Sequence, residues 1–393
     1  MAVRLLTDNV HWVGAIDWDR QLFDELIPLP DGTSYNAYLV CGKEKSALID
    51  LVDPTKEEDL RSHLDALKQT RLDYIVVNHA EQDHSGALPA FLRIYPEARV
   101  VTNEKCKAML ITHLHVPEDK FLVVKEGSTV ELGGKTLEFI ATPWVHWPET
   151  MSTYLREDRI LFSCDFFGSH LAQSDLFMGD AHRTLEAAKR YYAEIMMPFR
   201  SSIVKNLDKL TAFPVEMIAP SHGVIYKHPD FIMDAYRDWV SDRVENKAVI
   251  LFVSMHGSTR KMAFHLSDAL IRQQVEVRMF NLTHADTGEI AKELVDAATV
   301  VLATPQVLGG PHPKAVAAAY LLNALRPKTR FLSIIGSYGW GGKMVEYLKS
   351  LITHIKPEIL DPITLKGLPD EKDLARFDAL ADQIKKGHQT LNL

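Results

Sequence analysis

Cysteine is scarce. There are three, at positions 41, 106 and 164. An odd number of widely spaced thiols excludes a disulfide framework and points to a reducing compartment, so a cytoplasmic location is expected. Long apolar runs are absent as well. No stretch of eighteen apolar residues occurs, so no membrane-spanning helix is expected. Met1 to Asp8 lacks the apolar core and cleavage pattern of a signal peptide. Positive charge is not in excess: 44 Lys and Arg stand against 52 Asp and Glu, for a net charge of -8. That balance argues against a nucleic-acid surface.

What is present is ordinary in bulk. The chain has 393 residues, 46% hydrophobic and 24% charged. That is too long for one core, so two domains are expected. The informative stretch is Asn78-His79-Ala80-Glu81-Gln82-Asp83-His84-Ser85-Gly86. It follows Leu72 to Val77, an apolar, β-branched run that reads as a buried strand. His79, Glu81, Asp83 and His84 put four metal-binding side chains within six positions. A lone histidine on an apolar face is usually a satisfied core residue. Four potential ligands directly after a buried strand fit a metal site better.

Around that stretch the first half reads as short strands and helices. Strands are expected over His11 to Ile16, Tyr35 to Cys41 and Ala47 to Leu51, with Gly42 to Lys45 as a hairpin turn. Leu60, Leu64 and Leu67 share one face of a helix expected over Lys56 to Lys68. Later strand ends carry further ligand candidates. His146 lies in a Pro- and Trp-rich loop, Thr142 to Pro148, which reads as rigid and non-helical. Asp165 follows a strand ending near Ser163. A carboxylate there is costly to bury unpaired; a metal would satisfy it, and so would an N-cap role. His170 fits a supporting or substrate-pocket group rather than a ligand. His222 follows the strand Val215 to Ala219. All seven candidates thus sit just past strand ends, where loops at a sheet edge build sites. Four imidazoles and three carboxylates suffice for two metal ions sharing one carboxylate.

Glu245-Asn246-Lys247 reads as a polar break, placing the domains at 1–246 and 247–393. Beyond it, apolar strands alternate with helices. Strands are expected over 248–253, 275–280, 299–303, 331–335 and 358–360. This pattern implies a doubly wound parallel sheet, which binds ligands beyond the carboxyl ends of its strands. Three loops share that edge. Ser254-Met255-His256-Gly257-Ser258-Thr259 opens a helix, and its hydroxyls and free amides make an anion site, a merely capped turn being the alternative. The loop has neither Gly-Lys-Ser/Thr nor Gly-x-Gly-x-x-Gly, so neither a nucleoside triphosphate nor a dinucleotide is expected. Thr304-Pro305-Gln306-Val307-Leu308-Gly309-Gly310 and Gly336-Ser337-Tyr338-Gly339-Trp340-Gly341-Gly342 supply glycines for close approach to a flat ring, with Tyr338 and Trp340 to flank it.

The first-half motifs resemble the metallo-β-lactamase fold, an αβ/βα sandwich. Its hydrolases carry His-x-His-x-Asp-His and usually zinc. Here Glu81 stands in place of the second histidine, and mixed imidazole and carboxylate ligation suits non-haem iron. His-x-Glu-x-Asp-His resembles the flavodiiron proteins. The resemblance implies one iron held by His79, Glu81 and His146, another by Asp83, His84 and His222, and a bridge at Asp165. The three C-terminal loops resemble flavodoxin and imply bound FMN, with the first loop on the phosphate. Together they imply an oxidoreductase that reduces dioxygen to water, nitric oxide to nitrous oxide, or both. With no Cys-x-x-Cys pair for a rubredoxin module, the donor would be separate, rubredoxin or a reduced deazaflavin coenzyme. A head-to-tail homodimer or dimer of dimers is implied, with one subunit's flavin beside its partner's irons. Two other readings stand beside it: a zinc hydrolase with a flavodoxin-like appendage, and an electron carrier with a vestigial metal site.

Overall fold

Residues on the central strands of the first half alternate between two destinations. Leu39, Leu48, Ile75 and Val100 pack with Leu60, Leu64, Phe91 and Leu110 of helices Glu57–Ala66, Leu88–Ile94 and Glu104–Leu114. Their neighbours Tyr38, Val40, Ala47, Ile49, Val76 and Val101 face the other way. These pack with Leu137, Phe139, Leu155, Ile160 and Phe162 of a second sheet. The period of two along each strand therefore decides the layering. In the computed structural model, which describes residues 3–393, these strands lie in a seven-stranded sheet. Its order is Arg4–Thr7, Val10–Trp12, Tyr38–Cys41, Ser46–Ile49, Tyr74–Val76, Arg99–Thr102 and Phe121–Val123. The second sheet runs Thr129–Glu131, Thr136–Ala141, Met151–Leu155, Ile160–Cys164 and Met217–Pro220. Helices Ala181–Tyr191, Arg200–Leu210 and Pro229–Val240 complete the expected αβ/βα sandwich.

Some elements differ from expectation for local reasons. The strand expected over 11–16 is two pieces, Val10–Trp12 and Ala15–Asp17. Between them a Cβ on Gly14 would meet the Tyr35 carbonyl oxygen at 2.2 Å, so the chain turns where only glycine fits. Gly42 is more than a turn residue. A Cβ there would lie 1.9 Å from the Leu132 carbonyl oxygen. The loop docks on the second sheet, with Lys43 N–H donating to Gly133 O at 2.8 Å.

The chain divides into two compact units, one ending at Val240 and one spanning Ser241–Leu393. Glu245-Asn246-Lys247, read as a break, opens the strand Glu245–Phe252. Lys247 is drawn in by Asp296 at 2.8 Å, Glu293 at 3.1 Å and Glu245 at 3.2 Å. The second unit has the expected doubly wound parallel sheet. Its spatial order is Glu276–Asn281, Glu245–Phe252, Ala297–Val307 and Phe331–Tyr338, then two short strands. Those two, Glu358–Ile359 and Ile363–Lys366, both pair with Phe331–Tyr338. The second of them was not expected, because four residues in a polar context carry little periodicity. The strand order reverses between Glu245–Phe252 and Ala297–Val307, and the candidate loops lie at that edge.

Candidate functional site

Each ligand candidate of the first unit is delivered by a strand end. His79 follows Tyr74–Val76, Asp165 follows Ile160–Cys164, and His222 follows Met217–Pro220. Asp83 and His84 lie on one helical turn, Gln82–Ser85. His146 comes from the loop between Thr136–Ala141 and Met151–Leu155. Several residues here adopt a left-handed backbone that non-glycine residues avoid: Asp50 at φ 52, Trp144 at 63, Cys164 at 55 and Phe167 at 71. Each costs on the order of 1–3 kcal/mol, and such strain gathers at functional sites.

The structure brings all seven together. Donor atoms of His79, Glu81, His146 and Asp165 lie within 4.8 Å of one another, and so do those of Asp83, His84 and His222. His79 Nε2 and His146 Nε2 are each 3.0 Å from Glu81 Oε2. They are 3.4 and 3.5 Å from Asp165 Oδ2. The other carboxylate oxygen, Asp165 Oδ1, is 3.0 Å from His84 Nε2 and 3.3 Å from His222 Nε2. Asp83 faces His84 at 3.3 Å and His222 at 3.1 Å. One aspartate thus offers one oxygen to each group. Two ligands at right angles, each about 2.1 Å from a shared ion, stand about 3.0 Å apart. The observed separations match that spacing. Both Asp83 oxygens and Asp165 Oδ2 are buried without a hydrogen-bond donor. Orphaned buried carboxylates facing imidazoles are what a cation would satisfy.

Electrostatics tell the same story. Burial alone would lower the His146 and His222 pKa values. The carboxylates they face, Asp165 together with Glu81 or Asp83, outweigh it and push them up to about 9 and about 10. His79 is likewise raised despite burial, by Glu149 first and then Glu81. Burial would raise Asp165, yet the histidines around it, His84 first, hold it well below the usual carboxylate range.

A second layer orients these ligands, and sequence reasoning missed most of it. His79 Nδ1 is 2.7 Å from Glu149 Oε1, and His222 Nδ1 is 2.7 Å from the Ser34 carbonyl oxygen. Each bond leaves Nε2 for the cluster. The Tyr191 hydroxyl donates to Asp165 Oδ1 at 3.0 Å. Asp50 accepts from the Asn78 backbone and side chain at 2.7 and 2.9 Å, fixing the residue before His79. Only Glu149 carried a signal, its place three residues after His146. His170 stays outside the ligand groups. Its Nδ1 bonds the Thr33 hydroxyl at 2.9 Å, and burial followed by the charge of His222 holds it neutral. A cavity of about 350 Å³ opens on the cluster, bordered by Arg20, Phe23, Asp24, Glu81, Asp83 and Trp147.

In the second unit, Ser254, Met255, His256, Ser258, Thr259, Pro305, Gln306, Ser337, Tyr338 and Gly339 line one cavity of about 200 Å³. Gly341 lines an adjacent one of about 270 Å³, with Gln306, Tyr338, Gly342, Met344 and Thr364. Four expected residues line neither. Gly257, at φ 92, precedes helix Ser258–Arg272, whose first amides have no side-chain cap. Thr304 is buried, its hydroxyl donating to Pro305 O and accepting from His312 N–H. Val307 pairs with Gly310 in a hairpin. Trp340 is 72% exposed and its carbonyl accepts from Gln306 Nε2 at 2.7 Å. A Cβ on Gly257, Gly339 or Gly341 would meet nothing within 4 Å, so the loops present open space beside free amides. Uncapped amides at a helix N-terminus, with the Thr259 and Ser337 hydroxyls 2.9 Å apart, suit a phosphate.

Comparison with known proteins agrees with both halves. The family model described as ODP family beta lactamase matches residues 33–223, and the flavodoxin model matches residues 250–377. The chain is 37% identical over 388 residues to a nitric oxide reductase of Moorella thermoacetica, covering 96% of this chain and 97% of that one. It is 33% identical over 389 residues to an anaerobic nitric oxide reductase flavorubredoxin of Vibrio vulnificus, covering 96% of this chain and 78% of that one. Among solved structures, rubredoxin oxygen:oxidoreductase from Desulfovibrio gigas superposes with a TM-score of 0.96 at 29% identity, over 99% of both chains. A flavodiiron protein from Giardia intestinalis gives 0.91 at 27% identity, over 98% of this chain and 96% of that one.

Proposed function

Since the chain belongs to the flavodiiron protein family, we propose that it is an oxidoreductase reducing dioxygen to water, nitric oxide to nitrous oxide, or both. When bound, FMN supplies electrons one at a time and two irons supply the redox centre at which the gas is reduced. We assign His79, Glu81 and His146 to one iron, Asp83, His84 and His222 to the other, and Asp165 to the bridge. The observation that carries this is the split of Asp165, one oxygen toward each group. The three carboxylates offset most of the charge of two ferrous ions, which favours oxidation. Phe23 and Trp147 flank the mouth and restrict water, while the Tyr191 hydroxyl steadies Asp165. Ser254 to Thr259 would hold the FMN phosphate, and the loops at 304–307 and 337–342 would border the ring.

The test is anaerobic reduction of the iron- and FMN-loaded protein, followed by exposure to each gas separately. Consumption of dioxygen without peroxide, or formation of nitrous oxide, is expected. A loaded protein inert to both gases would overturn the reading. Metal analysis separates it from the zinc hydrolase: about two irons and one flavin per chain are expected, rather than zinc. Glu81, where those hydrolases have histidine, favours iron.

Electrons would come from a separate donor, rubredoxin or a reduced deazaflavin coenzyme. Exposed apolar side chains lie close in sequence to residues of both sites: Leu26 to Phe23 and Trp144 to His146, and Met255, Leu308 and Trp340 within or beside the flavin loops. They support a head-to-tail homodimer or dimer of dimers. Dilution to monomer should then abolish turnover while leaving flavin absorbance. Among the described residues, no helix is long and apolar enough to cross a membrane; a cytoplasmic place fits the thiol content.

A further inference from the structure

We propose that Glu149 is a positioning residue that makes the two iron positions chemically unequal. The inference rests on the diiron reading above. The two ligand histidines with a structured Nδ1 contact have different partners. His79 donates to a carboxylate, Glu149 Oε1, at 2.7 Å, and both side chains are fully buried. His222 donates to a neutral carbonyl, Ser34 O, at the same distance. An imidazole that shares its proton with an anion is the stronger metal donor. The position built from His79, Glu81 and His146 therefore receives more electron density than the one built from Asp83, His84 and His222. It should hold iron more tightly and favour the ferric state more strongly.

Glu149 is built in rather than incidental. Its Oε1 also accepts from the Ala80 amide at 3.1 Å, between ligands His79 and Glu81. Its own carbonyl accepts from Asn103 Nδ2 at 2.6 Å, and Asn103 caps helix Glu104–Leu114. Its second oxygen, Oε2, is buried without a donor. A carboxylate anchored at both ends, with one oxygen unsatisfied, keeps its charge directed at His79. The sheet edge thus carries a buried carboxylate, beyond the three carboxylate ligand candidates, that is hydrogen-bonded to an imidazole on one side of the pair; Asp50, also buried, instead accepts from Asn78 and Ser221.

The test uses the full chain loaded with iron and FMN, as wild type and as Glu149→Gln, which keeps shape and an acceptor but removes the charge. Three readouts are taken: iron retained after a chelator challenge, the two iron midpoint potentials from a titration followed by electron paramagnetic resonance, and the melting temperature of the stripped protein. The variant should lose affinity at one position by roughly 10- to 100-fold. A challenge that leaves two irons per wild-type chain should leave about one in the variant. The gap between the two potentials should narrow. Irons lost in parallel, or an unchanged gap, would overturn the inference while leaving the diiron reading intact. A wild-type chain that takes up no iron would overturn both. A second variant, Glu149→Asp, keeps the charge and should recover iron retention and the potential gap toward wild type; equal losses in Glu149→Asp and Glu149→Gln would count against a role for the charge.

Discussion

Replacing Asp165 with asparagine removes one buried negative charge and almost no volume. The consequence differs with and without iron. With iron, the variant would lack the shared anionic ligand proposed above, so iron content and gas reduction should collapse while flavin absorbance persists. In chelator-stripped protein the effect is on stability, and its sign follows from the shifted histidines. His146 and His222 have folded pKa values of about 9 and about 10, above the unfolded value near 6.5. They contribute stability that is fully present below pH 6.5 and lost as pH rises through 9 to 10. For His146 a shift of about 2.5, at about 1.4 kcal/mol each, is about 3 kcal/mol. Breaking a buried ion pair by removing one partner costs a similar ~3–5 kcal/mol. Because Asp165 serves four imidazoles at once, these contributions overlap and do not add. Asp165→Asn should therefore lower the unfolding free energy of stripped protein at pH 7 by about 3–5 kcal/mol. It should also flatten the loss between pH 7 and 10. Urea unfolding followed by tryptophan fluorescence reads this unit, since every tryptophan except Trp340 lies in it. Equal midpoints and equal pH slopes in the two stripped proteins would refute the reasoning.

Other expectations are narrower. Gly42→Ala should destabilise the first unit by about 1–3 kcal/mol in urea, because its Cβ would meet backbone that cannot yield. Gly342→Ala places a Cβ 1.4 Å from Gln306 Oε1 at φ 148. Gln306 can swing aside but the backbone strain remains, so FMN affinity by fluorescence titration should fall about tenfold. His388 is buried between the Thr299 hydroxyl at 2.7 Å and Asn246 Oδ1 at 2.8 Å, and burial, then Lys385, lowers its pKa to about 4. Stability of the second unit is then full above pH 6.5 and lost as pH falls toward 4. After discounting for solvent screening that loss is about 2 kcal/mol. Melting at pH 5 and pH 7 should show it in wild type and a smaller difference in His388→Gln.

Much of the architecture was legible because periodicity is a local property. Leu60 and Leu64 marked a helix, and the apolar strands after Lys247 marked a parallel sheet, before any tertiary contact was known. The candidate site was legible for a related reason. His79, Glu81, Asp83 and His84 are crowded into one strand end, and His146, Asp165 and His222 each follow another. What stayed hidden depended on distance through space. Tyr191 reaches Asp165 from a helix, Ser34 reaches His222 across 188 positions, and Glu149 reaches His79 across 70. No local pattern encodes such meetings. A one-dimensional pattern determines which residues are available at a sheet edge. Only packing decides which oxygen of Asp165 faces which imidazole, because that choice is made by the relative placement of four strand ends closing around the same few ångströms.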